Sequence, residues 1–480
     1  MKTDVSRVMI IVFDGLRPDF VHSELMPSLY EYAKNKAFEF RESSTVFPSV
    51  TRVATTSLIT GNYPRKHGII NNAFLQPNIF PNRVFDTSSF KMLEIAKKKY
   101  ANGLITTKTL GEYLSEAGKK FFSIHCGSPG ASYLCNHKAR ELQHHAFSIH
   151  GPEASLTPQI YDIIKDNHSL NGLGKIPKIN EVALSVDILL DTVFPIYNPD
   201  VSLVWFPEPD TSFHYKQIGS PDSKIALKNC DLQFSRILNW VEDQADKENI
   251  LLLVLSDHGQ ITVKSELDIT NLLASIGIKA VEDPSLSSDC YFTKGSVGEL
   301  RFKNKDAGLI AAAKEALKEV SGFLTFCSNN FQHPNDELSF DDVCISHERM
   351  GELLYICDSD DDLNDFGYSG TGSFTGGLQI PGGYHGGLNK KEMKNLFLMS
   401  GPGILKSVSD KSAGIVDVTP TILNCLGLQP SSLMDGRFLG EAFGQLVGEE
   451  TKKEISFEKG TLIKTQVAET EYIKYAQSKM

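Results

Sequence analysis

The stretch Ile250-Leu251-Leu252-Leu253-Val254-Leu255-Ser256-Asp257-His258 is apolar without a break and then turns to a hydroxyl, a carboxylate and an imidazole. A strand with one wet face alternates, whereas an unbroken apolar run of this length suits a strand covered on both faces. Three other runs share the form. Residues 8–13 precede Asp14, residues 201–206 precede Pro207-Glu208-Pro209-Asp210, and residues 396–399 precede Ser400-Gly401-Pro402. Helical stretches lie among them at 92–99, 110–117, 226–244 and 418–426. The expected fold is therefore α/β, a mostly parallel central sheet with helices on both faces. In such sheets ligands gather beyond the carboxyl ends of the strands, which is where these acidic and histidine residues fall.

From about residue 263 to 345 the pattern changes. Strand-like residues 298–302 and 323–327 flank a helix over 306–320 whose apolar positions are Leu309, Ile310, Ala313, Leu317 and Val320. This reads as a small α+β cap inserted into a core made of residues 1–262 and 346–445. Residues 446–480 form a C-terminal extension, and alternation over 462–476 allows a β-hairpin there. The acidic stretches 336–342 and 358–365 read as solvated loops, the second lacking the glycine and terminal glutamate of a calcium loop. Substrate choice is expected to lie in residues 73–200.

Bulk properties narrow the classes. The chain has 480 residues, of which 41% are apolar and 22% charged, and no apolar run reaches membrane-spanning length, so no membrane span is expected. A net charge of −11 argues against binding to a nucleic-acid duplex, although metal ions and a few cations can still hold a small anionic substrate. The first apolar stretch ends in Asp14 and lacks the h-region and cleavage site of an export signal. Eight cysteines without a C-x-x-C motif read as free thiols in a reducing cytoplasm.

Asp210-x-x-x-His214 places a carboxylate and an imidazole one helical turn apart, so both can reach one cation. Asp257-His258 and Asp14 leave strand ends, and His385 sits among glycines in Pro-Gly-Gly-Tyr-His-Gly-Gly. Each is unremarkable alone. Three carboxylates and three histidines so placed point to metal. The stretch from Phe47 to Gly61 reads as a loop entering a helix, with Thr51 near its start. Thr51 fits a helix cap and an activated hydroxyl equally well.

The segments FDGLRPDF, FPSVTRVATTSLITGNYPRKHGIINN, EPDTSFH, SDHGQ and GGYHGG, in that order, resemble the motifs of the alkaline phosphatase superfamily, in particular its type I phosphodiesterase/nucleotide pyrophosphatase branch. The closing DVTPTILNCLGLQPSSLMDGRFLG is similar to that superfamily's last helix and turn. The resemblance implies two divalent ions, zinc foremost. Asp210, His214 and His385 would hold one, and Asp14, Asp257, His258 and the Thr51 oxygen the other. It also implies Thr51 as a nucleophile that becomes phosphorylated. Asn72, together with the backbone amides of Thr51 and Arg52, would donate to the phosphoryl oxygens. Trp205 falls where the branch often stacks an aromatic on a nucleobase, and fits the core equally well.

One departure bears on substrate. Nucleotide-cleaving members commonly read Thr-Phe-Pro-Asn from the nucleophile onward, and this chain has Thr51-Arg-Val-Ala54. Arg52 either meets a phosphate or carboxylate bidentately or faces solvent. The expected substrate is a small phosphate ester, pyrophosphate or phosphonate. Phosphodiester or pyrophosphate cleavage leads, with phosphonoacetate hydrolase-like C–P cleavage and phosphomonoesterase activity as alternatives. His125, Lys138, Lys108 and Arg140 are candidate partners for a substrate carboxylate. A catalytically silent binding protein on the same fold is the alternative of another class.

Overall fold

A computed structural model describes residues 5–328 and 337–479. Ile250–Ser256 is a strand buried at every position. Arg7–Phe13 lies parallel beside it, with Val8, Ile10 and Val12 packed into one core and Met9, Ile11 and Phe13 into another. The two-residue period of a strand is present, and it is invisible in the sequence because both faces are apolar.

Eight strands make the central sheet, in the order Val408–Gly414, Phe38–Ser44, Phe397–Ser400, Ile250–Ser256, Arg7–Phe13, Val201–Phe206, Phe121–His125 and His145–Ser148. Every neighbouring pair is parallel except the two made by Phe397–Ser400, which runs antiparallel to both its partners. The fourth apolar run thus points the other way from the first three, and Ser400-Gly401-Pro402 lies at the far end of the sheet. What precedes that strand reaches the ligand end instead. Asn395 Nδ2 donates to the Ser256 carbonyl at 2.7 Å, and the Gly259 N–H donates to the Glu392 carbonyl at 2.8 Å.

Helices cover both faces. Thr51–Thr60 and Val418–Cys425 pack on one, and Pro27–Asn35, Ile179–Ile188 and Pro221–Glu242 on the other. The last begins at Pro221 rather than 226, because Ser220 accepts from the Ser223 N–H and proline opens the first turn. The stretch 73–200 supplies two strands at one edge of the sheet.

A separate six-stranded sheet is built from residues 280–357, and helices Ile269–Ala274 and Ala307–Lys318 share an apolar cluster with it. Its third strand, Val297–Phe302, pairs with Leu353–Cys357, which lies well past residue 345. The acidic run differs from the loop expected: Ser359–Leu363 is an exposed edge strand, paired with Ser369–Phe374. Asp336, which opens the other acidic stretch, lies outside the described residues. Residues 450–478 form a three-stranded antiparallel meander. Among the described residues no helix is long and apolar enough to cross a membrane.

Candidate active site

Strand register brings the carboxylates together. Phe13 pairs with Ser256 on one side and Phe206 on the other, so Asp14 leaves the sheet level with Asp257. The Asp210 N–H donates to the Asp14 carbonyl at 3.0 Å. Between them the chain turns at Gly15 with φ +69°, where a Cβ would stand 3.0 Å from both Asp210 Cβ and Gln260 Nε2. Only glycine meets both demands. Its N–H donates to Asp257 Oδ1 at 2.9 Å.

Asp210 opens the short helix Asp210–Lys216, whose start is held by the buried Glu208 carboxylate, a 2.9 Å acceptor for both the N–H and the hydroxyl of Ser212. One turn on, His214 Nε2 lies 3.2 Å from Asp210 Oδ1, and His385 Nε2 lies 3.4 Å from the same oxygen. On the other side His258 Nε2 stands 3.1 Å from Asp257 Oδ2, 3.7 Å from Asp14 Oδ1 and 3.2 Å from Thr51 Oγ1. All six residues and Thr51 therefore converge on one place.

The imidazoles are oriented from behind. His214, His385 and His258 direct Nδ1 at the carbonyls of Gly383 (2.7 Å), Ser49 (2.8 Å) and Gly259 (3.1 Å). A carbonyl only accepts, so each Nδ1 carries the proton and each Nε2 turns a lone pair inward. Asp14 Oδ1 and Asp257 Oδ2 are buried without a hydrogen-bond partner. Burial, then the charges of Asp257 and Asp210, pushes the Asp14 carboxyl well above its ordinary range. Burial raises Asp210 too, but His214 and His385 hold it well below the usual value. Burial and the nearby His258 push His385 well down. Carboxylates and lone pairs converging in a dry space repel one another unless cations share them, so the donor set fits divalent metal ions. Two groups have the proximity for it: Asp210, His214 and His385, and Asp14, Asp210 and His258.

Thr51 is the first residue of its helix, and the capping position belongs to Val50. The threonine hydroxyl faces His258. Asn72 lies beside it. Its Oδ1 accepts from the Arg52 N–H at 3.2 Å, and its carbonyl accepts from the Thr87 N–H and hydroxyl at 3.0 and 2.6 Å. The Arg52 amide, expected to face phosphoryl oxygens, is therefore taken by Asn72.

Trp205 is fully buried. Its Nε1 donates to Asp14 Oδ2 at 2.9 Å, and its ring stacks on His125 with centroids 5.1 Å apart, so it offers no face to a nucleobase. His125 is thereby spent as a packing partner. Lys108 and Lys138 pair with Glu116 and Glu112, and Arg140 donates to the Leu156 carbonyl. None of these four borders either cleft beside Thr51, of about 470 and 240 Å³. Arg52 borders both, held by Thr87 and Ser128 rather than turned to solvent.

Sequence reasoning missed Gln260, whose Nε2 meets Asp210 Oδ1, and Lys178, which borders the smaller cleft. Gln260 stands inside the SDHGQ segment, so its position was a signal, while Lys178 carried none.

Residues 8–358 match the type I phosphodiesterase/nucleotide pyrophosphatase family. An ectonucleotide pyrophosphatase/phosphodiesterase of Caenorhabditis elegans is 20% identical over 435 residues, covering 88% of this chain and 47% of that protein. Ectonucleotide pyrophosphatase/phosphodiesterase family member 1 of Rattus norvegicus is 23% identical over 283 residues, 58% of this chain and 27% of the relative. The chain thus spans less than half the length of these relatives. Among solved structures, an inactive variant of murine ectonucleotide pyrophosphatase/phosphodiesterase 5 in complex with AMP superposes with a TM-score of 0.61 at 16% identity, over 89% of this chain and 96% of that one. That likeness is one of fold.

Proposed function

This chain belongs to the type I phosphodiesterase/nucleotide pyrophosphatase family, within the alkaline phosphatase superfamily, and from that premise we propose that it hydrolyses phosphodiester or pyrophosphate bonds of small substrates through a phosphothreonine at Thr51. The observation that carries the reading is the placement of the Thr51 hydroxyl 3.2 Å from His258 Nε2, within the ring of carboxylates and imidazoles.

Asp210, His214 and His385 would hold one divalent ion, and Asp14, Asp257, His258 and Thr51 the other, with zinc favoured by the mixed oxygen and nitrogen donors. When bound, two such ions neutralise phosphoryl charge and favour the deprotonated threonine. Thr51 Oγ1 attacks phosphorus in line, the bond to the leaving oxygen breaks, and water then cleaves the phosphothreonine to restore the hydroxyl. Asn72 donates through Nδ2, which has no protein acceptor among the described residues, to a non-bridging oxygen. The eight buried thiols support a reducing compartment, the cytoplasm, as its place.

The test uses zinc-loaded protein and four substrates: a bis-aryl phosphodiester, a nucleotide pyrophosphate, an aryl monoester and phosphonoacetate. The diester and pyrophosphate are expected to be turned over fastest. Thr51→Ala should lower that turnover by roughly 10³-fold or more while two metals per chain are retained. Unchanged turnover in that variant removes the nucleophile assignment, and a dominant rate on phosphonoacetate or the monoester removes the substrate class.

A further inference from the structure

Arg52 is a cation that borders both clefts together with Asp86, Asp14 and Asp210, yet touches none of these carboxylates. Its Nε donates to Thr87 Oγ1 at 2.9 Å and its Nη1 to Ser128 Oγ at 3.5 Å, both hydroxyls, and among the described residues it has no ion-pair partner within 4 Å. Arg52 is half-buried; withdrawing a charge partly from water without a direct counter-charge has a cost, which is recovered if a ligand brings the anion.

The surroundings agree. The cleft of about 240 Å³ joins Asp14, Thr51 and Asp210 to Arg52, Ser128 and Lys178. Lys178 is held at its rim: its Nζ lies 3.3 Å from Glu181 Oε1, and its own N–H donates to Glu208 Oε1 at 2.7 Å. Aromatic faces are scarce. Trp205 is covered by His125, and among the described residues the aromatic rings bordering the two clefts, apart from histidines, are those of Tyr215 and Tyr384. Such a lining favours charge over a stacked base.

We propose that the smaller cleft is an anion subsite: the substrate carries, besides the phosphorus that Thr51 attacks, a second anionic group, a carboxylate or a phosphate, gripped by Arg52 with Lys178 at the rim. The inference rests on Thr51 being the nucleophile of a metal-dependent phosphohydrolase. Within that function it favours substrates bearing a second charge close to the scissile bond, so the pyrophosphate over the bis-aryl diester. A guanidinium suits either anion through paired N–H donors.

The test reads binding without turnover. Zinc-loaded protein is titrated calorimetrically with 3-phosphonopropionate and with propylphosphonate, which differ in ending in a carboxylate or a methyl group. The wild-type chain is expected to prefer the carboxylate by about tenfold or more, the worth of one charged hydrogen-bonded contact. Arg52→Gln should bring that ratio to within about twofold of unity, and Lys178→Gln should lower it by a smaller factor. Ethane-1,2-diphosphonate in the same titrations tells whether a phosphate-like group is taken in preference to a carboxylate.

A ratio near one in the wild type overturns the subsite, as does a ratio that neither substitution moves. If circular dichroism shows that Arg52→Gln does not fold, the Lys178→Gln ratio decides. A wild-type chain that selects the dianion yet cleaves no phosphodiester sinks the proposed function and leaves the subsite standing. Cleavage with no selection does the reverse.

Discussion

Two regions of this molecule are rich in aspartate, and they behave oppositely. Asp14, Asp210 and Asp257 are far apart in sequence and meet at the ends of three adjacent strands, facing histidines whose Nδ1 protons are committed to carbonyls. Asp360, Asp361 and Asp362 are consecutive and stand along an exposed edge strand. There Asp360 and Asp362 meet Lys264 Nζ at 2.6 and 3.2 Å, and Asp360 also accepts from the Thr371 hydroxyl. The first group leaves buried oxygens without a partner, and the second is exposed and answered by a lysine and a hydroxyl. Carboxylate density along a sequence thus says little about metal. What counts is convergence in a dry space with lone pairs left over.

If that distinction is right, the largest effect belongs to the buried group. Asp257→Asn keeps the Oδ1 acceptor for the Gly15 N–H but removes charge from the atom beside His258. Zinc affinity is expected to fall by more than the about 100-fold typical of outer residues, and turnover with it. Metal content after dialysis measures this, and full zinc retention would erase the contrast between the two regions.

An intermediate effect belongs to Trp205. Losing the indole donor in Trp205→Phe leaves Asp14 Oδ2 without its partner while a ring remains against His125. Zinc affinity should weaken by about 10- to 100-fold, the range for residues that orient a ligand. An unchanged dissociation constant would mean that the tryptophan only fills space. A real shift would place it in the metal site's supporting shell rather than against a nucleobase.

Much of the buried group was legible in the sequence because each member follows an apolar run, and a strand end is a defined place in a parallel sheet. The convergence itself depends on strand order, which the runs do not encode. Direction was hidden as well, since residues 397–400 look like the other runs yet lie antiparallel. Trp205 was ambiguous for the same reason: an aromatic two residues short of a strand's turn suits a core or a cleft, and only the neighbouring Phe121–His125 strand, which stacks His125 on it, decides. The exposed group was misread in shape rather than character. Consecutive aspartates disfavour a strand by propensity, and the lysine that makes one tolerable lies about a hundred residues earlier.

The smallest effect belongs to that edge. Asp360→Asn removes one ion pair between side chains that are 44% and 48% exposed, so the loss of stability should stay under about 1 kcal/mol and shrink in high salt. Burial raises the Asp360 pKa, but Lys264, Thr371 and the Asp362 N–H together hold it below the ordinary carboxylate value. A carboxyl whose folded pKa is depressed contributes stability that is full above its unfolded pKa and is lost as pH falls through the folded one. The wild type and Asp360→Asn should therefore differ at neutral pH and converge as the solution becomes more acidic than about pH 4, where the unfolded carboxyl already binds its proton. Urea unfolding of metal-free protein at pH 7 and at pH 3 reads that difference directly, without interference from zinc. A gap that widens on acidification has the wrong sign for an ion pair and would mean that the edge carboxylates hold something other than Lys264.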